Sequence, residues 1–131
     1  MGILNSLSKL FPESTGSDTG FWEALPDPET VESFLDDTGG TMVIFKNSPY
    51  CGTSMFAKNS LDALDPEKWT GIRFFMIDVI KERQISDRIS KLFGVRHESP
   101  QVLVIHNGSV YWHASHARVN AEQLRNTLRS I

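Results

Sequence analysis

The sequence predicts a single α/β domain with a central mixed sheet of about four strands flanked by helices. Its 131 residues suit one domain, and its 40% hydrophobic content is enough to fill a core. Short continuous apolar runs at 42–45, 72–77 and 102–105 are typical of buried strands. Asn107-Gly108, directly after the third run, predicts a hairpin to a fourth strand at 110–113.

The first helix is predicted to begin at 27–29, where an N-cap acid precedes a proline and a second acid. We expect Val31, Phe34 and Leu35 to form its apolar face. Gly39-Gly40 is expected to end it.

The other three helices are predicted from apolar residues that repeat on one face and from the residues that start or stop them. These sets are Ala57, Leu61 and Leu64 before Pro66; Ile85, Ile89 and Leu92 before Gly94; and Ala121, Leu124, Leu128 and Ile131 after a capping box of Asn120 and Gln123. Together with the strands they give two βαβ-like crossings, a hairpin and a terminal helix. This is the arrangement of a thioredoxin fold.

That arrangement brings two features to one edge of the sheet. Cys51 follows the first core strand and precedes the next helix, and crossover connections place such a helix start at the carboxyl edge of the sheet. Ser99-Pro100 precedes the third core strand, where thioredoxin folds have a cis-proline that faces the active cysteine. We therefore predict a cis Ser99–Pro100 bond, with the backbone of Ser99 able to pair with an extended thiol substrate.

Composition and charge argue against several classes of function. A net charge of −3 gives no electrostatic reason to expect a nucleic acid partner. No apolar run approaches the roughly 18 residues that span a membrane, and the start of the chain lacks the apolar region of a secretory signal. A single cysteine forms no internal disulfide, which fits a reducing cytoplasm. We expect a cytoplasmic monomer that does not associate with membranes.

The domain is predicted to span residues 21–131, after a lead-in at 1–20 that forms a short helix and a flexible connector. Met1-Gly2 with Ser6 also matches the loose myristoylation pattern. A weak interfacial helix in the lead-in therefore stays open.

Cys51 is the only cysteine and the predicted reactive group. Backbone N–H groups at a helix start carry about half a positive charge, which favours thiolate over thiol. A lone cysteine is often a small buried hydrophobic residue, but the position of this one favours thiol–disulfide exchange. In that reaction Cys51 takes the small thiol from a mixed disulfide on a client protein, and a second small thiol then clears Cys51.

Four neighbours of Cys51 are candidate site residues. Lys46, at a predicted strand end, is expected to pair with a carboxylate of the small thiol or with Asp78 at the end of the neighbouring strand. Ser54 is expected to cap backbone N–H groups or to hydrogen-bond the sulfur, with a plain helix-start serine as the alternative. Tyr50 is a predicted exposed contact, and His116 is predicted to line the rim of the small-thiol site.

Several blocks of the sequence are distinctive. They are 43–48 with Cys51 and Ser54, 74–79, Asn107-Gly108, and the runs Gly-Val-Arg-His-Glu-Ser-Pro-Gln at 94–101 and His-Ala-Ser-His at 113–116. Over residues 22–131 they resemble the monothiol bacilliredoxins, thioredoxin-like proteins of bacteria that use the small thiol bacillithiol. The resemblance implies an oxidoreductase that removes bacillithiol from S-bacillithiolated client proteins. It also implies bacillithiol as a co-substrate and no tightly bound cofactor.

The same resemblance implies roles for individual residues. Cys51 is the attacking thiol, Ser54 stands where dithiol relatives have a second cysteine, and Ser99-Pro100 forms the cis-proline loop. Gly52 and Thr53 are expected to contact the substrate, although the family usually has Pro-Ile at these positions.

Three residues before the cysteine also depart from the family pattern. Asn47 stands where histidine is common, and Pro49-Tyr50 replaces a Thr-Arg pair. The loss of that arginine removes one cation near the thiol.

Two alternative functions remain. The run 51–54, Cys-Gly-Thr-Ser, is similar to the Cys-Gly-Phe-Ser motif of monothiol glutaredoxins, many of which carry a [2Fe–2S] cluster between two subunits. The protein is then a cluster carrier, or alternatively a binding module that kept the fold without the chemistry. His113 and His116 have His-x-x-His spacing, but one lies on a predicted strand and the other in the loop beyond it, so no metal site is predicted.

Overall fold

A four-stranded mixed sheet forms the centre of the domain. The computed structural model describes residues 20–36 and 40–131. The strands are β1 (Thr41–Asn47), β2 (Ile72–Asp78), β3 (Gln101–His106) and β4 (Ser109–Ser115), in the order β2-β1-β3-β4. β1 is parallel to β2 and antiparallel to β3, which is antiparallel to β4. The predicted mixed sheet is therefore confirmed.

Among the described residues, four helices cover the two faces of the sheet. They are α1 (Pro28–Ser33), α2 (Gly52–Leu61), α3 (Arg83–Phe93) and α4 (Ala121–Arg129). Short 3-10 segments at Phe34–Asp36, Pro66–Trp69 and His116–Arg118 join them to the strands. The predicted caps of α1 and α4 are confirmed, because the side chains of Asp27 and Asn120 accept hydrogen bonds from the amides of Thr30 and Gln123.

Two hydrophobic clusters, one on each face of the sheet, make up the core. Alternate residues of β1 enter them: Val43 and Phe45 pack with α2 and α4, while Met42 and Ile44 pack with α1 and α3. The central strands β1 and β3 are buried on both faces, which explains their continuous apolar sequences.

The predicted hairpin between β3 and β4 is confirmed. Asn107 and Gly108 have φ angles of 53° and 83°, as the favoured two-residue hairpin turn requires. A Cβ atom on Gly108 would lie 2.4 Å from the carbonyl oxygen of Leu35. Glycine is therefore needed here for space as well as for backbone conformation.

Some details of the prediction were wrong. Leu35 is 42% exposed, because the chain tightens into a 3-10 turn at Phe34, whose period of about three residues buries Val31 and Phe34 and turns Leu35 outward. The second helix ends at Leu61, and Pro66 instead begins a 3-10 segment. Only the first crossing joins parallel strands, since β3 runs antiparallel to β1.

The predicted lead-in lies outside the described residues except for its last residue, and so does Gly39. The boundary between residues 20 and 21 thus stays a prediction. Within the described part of the chain, no helix is both long enough and apolar enough to cross a bilayer.

Candidate active site

Strand register brings four segments to one edge of the sheet. Asn47 at the end of β1 is paired with Asp78 at the end of β2. On the other side of β1, Lys46 is paired with Gln101, so that Pro100 lies at the same edge. The amide of His116, directly after β4, donates to the carbonyl oxygen of Pro100 at 2.9 Å. This edge therefore carries the segment with Cys51, the proline loop and the loop after β4.

Cys51 stands at the N-cap of α2, as predicted. A turn precedes it, in which the amide of Cys51 donates to the carbonyl oxygen of Ser48 at 3.1 Å. The carbonyl oxygen of Cys51 accepts the amide of Met55 at 3.0 Å and so begins the helix. The thiol is free and partly exposed. The turn and the helix start together hold the sulfur at the sheet edge within reach of a substrate.

The environment of Cys51 favours the thiolate. Hydrogen bonding from the backbone amide of Ser54, and then from that of Thr53, lowers the pKa of Cys51, while partial burial of the thiol opposes this shift. The hydroxyls of Thr53 and Ser54 add smaller effects in the same direction. The neutral side chain makes no capping hydrogen bond, so this stabilisation acts mainly on the charged sulfur.

Ser54 accepts a backbone N–H group, one of the two roles predicted for it, but the donor lies in the turn before the helix. Its side chain is completely buried, and its hydroxyl oxygen accepts the amide of Ser48 at 3.2 Å. Ser54 thus fixes the turn that precedes Cys51, in addition to its small effect on the sulfur. It is therefore more than a plain helix-start serine.

The Ser99–Pro100 bond is cis, as predicted. Pro100 is buried and Ser99 is partly exposed. Gln101, which follows, is 1% exposed, and its side-chain nitrogen donates to the carbonyl oxygen of Arg96 at 2.8 Å and to the hydroxyl of Ser115 at 3.3 Å. Gln101 therefore ties both ends of the proline loop to β4.

His116 pairs with the proline loop. Its Nε2 lies 3.7 Å from Oε1 of Glu98, and its φ angle of 59° turns the chain away after β4. The hydroxyl of Ser115, helped by the charges of His116 and Arg96, lowers the pKa of Glu98 against an opposing effect of burial. The two distinctive sequence runs thus meet at this contact, and His116 lies at the predicted rim.

The predicted partners of Lys46 were wrong. Lys46 lies inside β1, completely buried, and its side chain points to α3 on the face opposite to α2. Its Nζ donates to the carbonyl oxygen of Ser86 at 3.1 Å, to the hydroxyl of Ser90 at 2.9 Å and to Nδ1 of His97 at 3.5 Å. Asp78 instead accepts the amides of Ile80 and Lys81. Because its three donors are used within the protein, Lys46 is not available to hold a carboxylate of a small thiol.

Burial favours the neutral forms of both Lys46 and His97. It lowers the pKa of Lys46 to about 8, while the nearby charge of Asp87 opposes the shift. Partial burial, and then the charges of Lys46 and Arg83, lower the pKa of His97. A neutral His97 presents Nδ1 as an acceptor to Lys46 and Ser86.

Two cavities flank the segment from Pro49 to Thr53. One, of about 310 Å³, lies at the Pro49 end and includes Asn47. The other, of about 300 Å³, lies at the Thr53 end and includes Phe56 and His116. The mixed disulfide that approaches Cys51 joins two groups, a client protein and a small thiol. A cavity lies on each side of the reactive segment.

The remaining predicted contacts lie on the surface around Cys51. Tyr50 is 83% exposed, and Gly52 and Thr53 are also exposed. A Cβ atom on Gly52 would meet nothing within 4 Å, so the family's larger residue would fit there. Met55 and Phe56 add exposed apolar surface beside the thiol.

Sequence reasoning missed Gln101 and the unusual state of Asn47. Asn47 is 8% exposed, yet its Oδ1 is buried without any hydrogen-bond partner. A polar residue at the end of an apolar strand was the available signal in both cases. Among the described residues, no group of three or more His, Cys, Asp or Glu side chains is arranged to hold a metal ion.

The fold and the site define a thioredoxin-fold protein with one cysteine at the N-cap of the first helix after β1. A family model described as monothiol bacilliredoxin BrxC matches residues 23–124. The chain belongs to the monothiol bacilliredoxin family.

Solved structures share the thioredoxin fold of this chain. A protein described as a candidate oxidoreductase with a thioredoxin fold is 26% identical, with a TM-score of 0.71, covering 82% of this chain and 94% of that one. Thioredoxin from Trypanosoma brucei brucei is 13% identical, with a TM-score of 0.67 and coverage of 88% and 95%. Thioredoxin from Fasciola hepatica is 18% identical, with a TM-score of 0.65 and coverage of 82% and 97%. The family and the first of these structures support a thiol oxidoreductase.

Proposed function

We propose that the protein removes bacillithiol, or a similar small thiol, from mixed disulfides on client proteins through Cys51. The observation that carries this proposal is the lone, partly exposed thiol at the start of α2, whose pKa the helix amides lower. A thiolate is the form that attacks a disulfide, so an environment that lowers the pKa of Cys51 increases the fraction of the reactive form.

The reaction has two exchange steps. The Cys51 thiolate attacks the small-thiol sulfur, a bond forms between these sulfurs, and the client leaves as a thiolate. A second small-thiol thiolate then attacks the sulfur bound to Cys51, which returns Cys51 to the thiolate and releases a small-thiol disulfide. The second thiol is needed because Cys51 is the only cysteine of the chain. The cytoplasm, where small thiols are reduced, is the proposed compartment.

Residues around the sulfur have proposed roles in these steps. The backbone of Ser99, beside the cis-proline, pairs with the extended substrate, and Tyr50 offers an exposed contact surface. We propose that the chain acts as a monomer, which is sufficient because both steps use only Cys51 of the chain.

The test is release of bacillithiol from a client protein by the full chain and by the Cys51→Ser variant, followed by intact mass. We expect the unmodified chain to gain the mass of bacillithiol while the client loses it, and the variant to transfer none. Unfolding of both proteins in urea serves as the control for folding. Undiminished client release by Cys51→Ser would rule out this mechanism.

A further inference from the structure

Four polar side chains form a hydrogen-bonded cluster between β1, α3 and the proline loop. They are Lys46, Ser86, Ser90 and His97, and we call them the lysine cluster. Lys46 and Ser86 are completely buried. The lysine cluster lies on the face of the sheet opposite to α2, and the two exchange steps proposed for Cys51 use none of its side chains. Because burying polar groups costs free energy, we expect such a cluster to have a specific role.

His97 joins the lysine cluster to the proline loop. Its Nδ1 lies 3.2 Å from the hydroxyl of Ser86 and 3.5 Å from Nζ of Lys46. Because a charged lysine has only donors, Nδ1 is the acceptor toward Lys46. These are the hydrogen bonds that His97 makes with the described residues, although the residue as a whole is exposed. The position of His97 in the loop therefore depends on the lysine cluster.

Ser99 follows His97 by two residues and has contacts of the loop on both sides. Beyond Ser99, the carbonyl oxygen of Pro100 accepts the amide of His116 at 2.9 Å. Before it, the side chain of Glu98 contacts that of His116. These contacts hold the loop to the end of β4, whereas the hydrogen bonds of His97 hold it to α3 and β1. Ser99 itself makes no hydrogen bond with a described residue, so its position follows from these neighbours.

We propose that His97, held by Lys46 and Ser86, is a positioning residue that keeps the backbone of Ser99 where it pairs with the extended substrate. The inference rests on the proposed function and adds the residues that set the geometry of its substrate-pairing loop. A displacement of about 1 Å in a substrate-positioning group costs roughly 10²-fold in rate, so a loop that is held on one side only should use such substrates less well.

The lysine cluster acts on the proline loop and not on the sulfur. The pKa of Cys51 is lowered by groups of Thr53 and Ser54 at the start of α2. A change at His97 should therefore leave the reactivity of the thiolate intact and affect only those substrates that pair with Ser99. This difference separates positioning of the loop from a general effect on the protein.

The first measurement compares two disulfides that differ in their ability to pair with a backbone. One is a reporter peptide that carries bacillithiol, and the other is bis(2-hydroxyethyl) disulfide, which has no amide groups. The ratio of the two second-order rate constants should fall about three- to tenfold in His97→Ala, the loss expected for one hydrogen bond. His97→Asn should restore most of the ratio, because Oδ1 of asparagine is an acceptor at the same place along the side chain as Nδ1 of histidine.

A second histidine provides the matched control. His106 makes a hydrogen bond of 2.8 Å with Thr41 and is paired with it in the sheet, at the edge opposite to the site. His106→Ala should therefore keep the original ratio. Urea unfolding of each variant shows that it is folded under the conditions of the assay.

Lys46→Met tests whether the effect passes through the lysine cluster. It removes the donor to His97, so it should lower the same ratio. If both residues act through one contact, the double variant of Lys46→Met and His97→Ala should lose no more than the more affected single variant. Losses that multiply would show that the two residues act separately and would overturn the role given to Lys46.

An unchanged ratio in His97→Ala, or an equal loss with both disulfides, overturns the proposal. If the unmodified chain releases no bacillithiol from the peptide, the proposed function fails, and binding alone decides the inference. A reporter peptide with S-methylcysteine cannot react with Cys51, and its binding to the full chain is followed by NMR at the amide of Ser99. A shift in the unmodified chain that His97→Ala loses and His97→Asn keeps supports the proposal. Equal shifts in all three proteins, or no shift in the unmodified chain, overturn it.

Discussion

Lys46 and Asn47 are neighbours at the end of β1, both polar and both buried, but their hydrogen bonding differs completely. The side chain of Lys46 points to α3, where each of its three donors has an acceptor. The side chain of Asn47 points to the opposite face, where its carbonyl oxygen has none. A buried polar group that is fully paired contributes to the fold, whereas an unpaired one keeps the cost of its lost hydration.

Lys46 and Asn47 therefore have different roles in the protein. Hydrogen bonds from Lys46 connect β1 to α3 and to His97. His97 lies three residues before Pro100, so Lys46 also supports the start of the proline loop. Asn47 instead lines the cavity at the Pro49 end of the segment that carries Cys51. The three predictions below test this division, beginning with the largest expected effect.

Replacement of Lys46 by alanine should lower the free energy of unfolding by about 3 kcal/mol. The substitution leaves a cavity and removes the donor to Ser86, Ser90 and His97, and such core truncations cost roughly 2–5 kcal/mol. Lys46→Met fills most of the volume and avoids burying a charge, so it should cost less. Urea unfolding measures both. As a control, Lys58→Ala, at a partly exposed position of α2, loses only an ion pair with Asp62 and should change stability by less than about 0.5 kcal/mol. Equal stability of Lys46→Ala and Lys58→Ala would show that the cluster is not structural.

The contribution of Lys46 to the free energy of unfolding should also depend on pH. Burial lowers its pKa from 10.5 to about 8, so between these values the unfolded chain binds more protons than the folded one. The free energy of unfolding of the unmodified chain, relative to Lys46→Met, should therefore rise with pH through this window by about 2–3 kcal/mol. Below about pH 8 the folded unmodified chain carries the full cost of a charged buried lysine, which Lys46→Met does not have at any pH. Urea titrations of the two proteins from pH 7 to 10.5 measure the difference, which a flat profile would contradict.

The fold was predictable because its signals are local and repeated. Apolar runs gave the strands, Asn107-Gly108 gave the hairpin, and the caps at Asp27 and Asn120 gave two helix starts. The element order then predicted the cis bond at Pro100, a long-range feature.

The errors have a different origin. The sequence shows that Lys46 follows an apolar run, but not that β1 continues past it, and the side that a strand residue faces changes with each position. The pairing of β3 is also set by contacts that no local pattern encodes, so its antiparallel direction was missed. At the site, Cys51 was found because it is the only thiol, whereas the roles of Gln101 and Ser54 depend on partners across a loop.

The smallest effect is expected for the stability of Asn47→Leu. Leucine has the same branched side-chain skeleton with bulkier end groups and removes the unpaired buried oxygen, while the backbone bond from Val79 to residue 47 is kept. The free energy of unfolding should stay within about 1 kcal/mol of the original or rise, since replacing an unpaired polar group by an apolar one removes its desolvation cost. Thermal and urea unfolding of the ligand-free chain measure the change. A loss above about 2 kcal/mol would mean that Asn47, like Lys46, has a structural partner, and the difference between the two neighbours would then disappear.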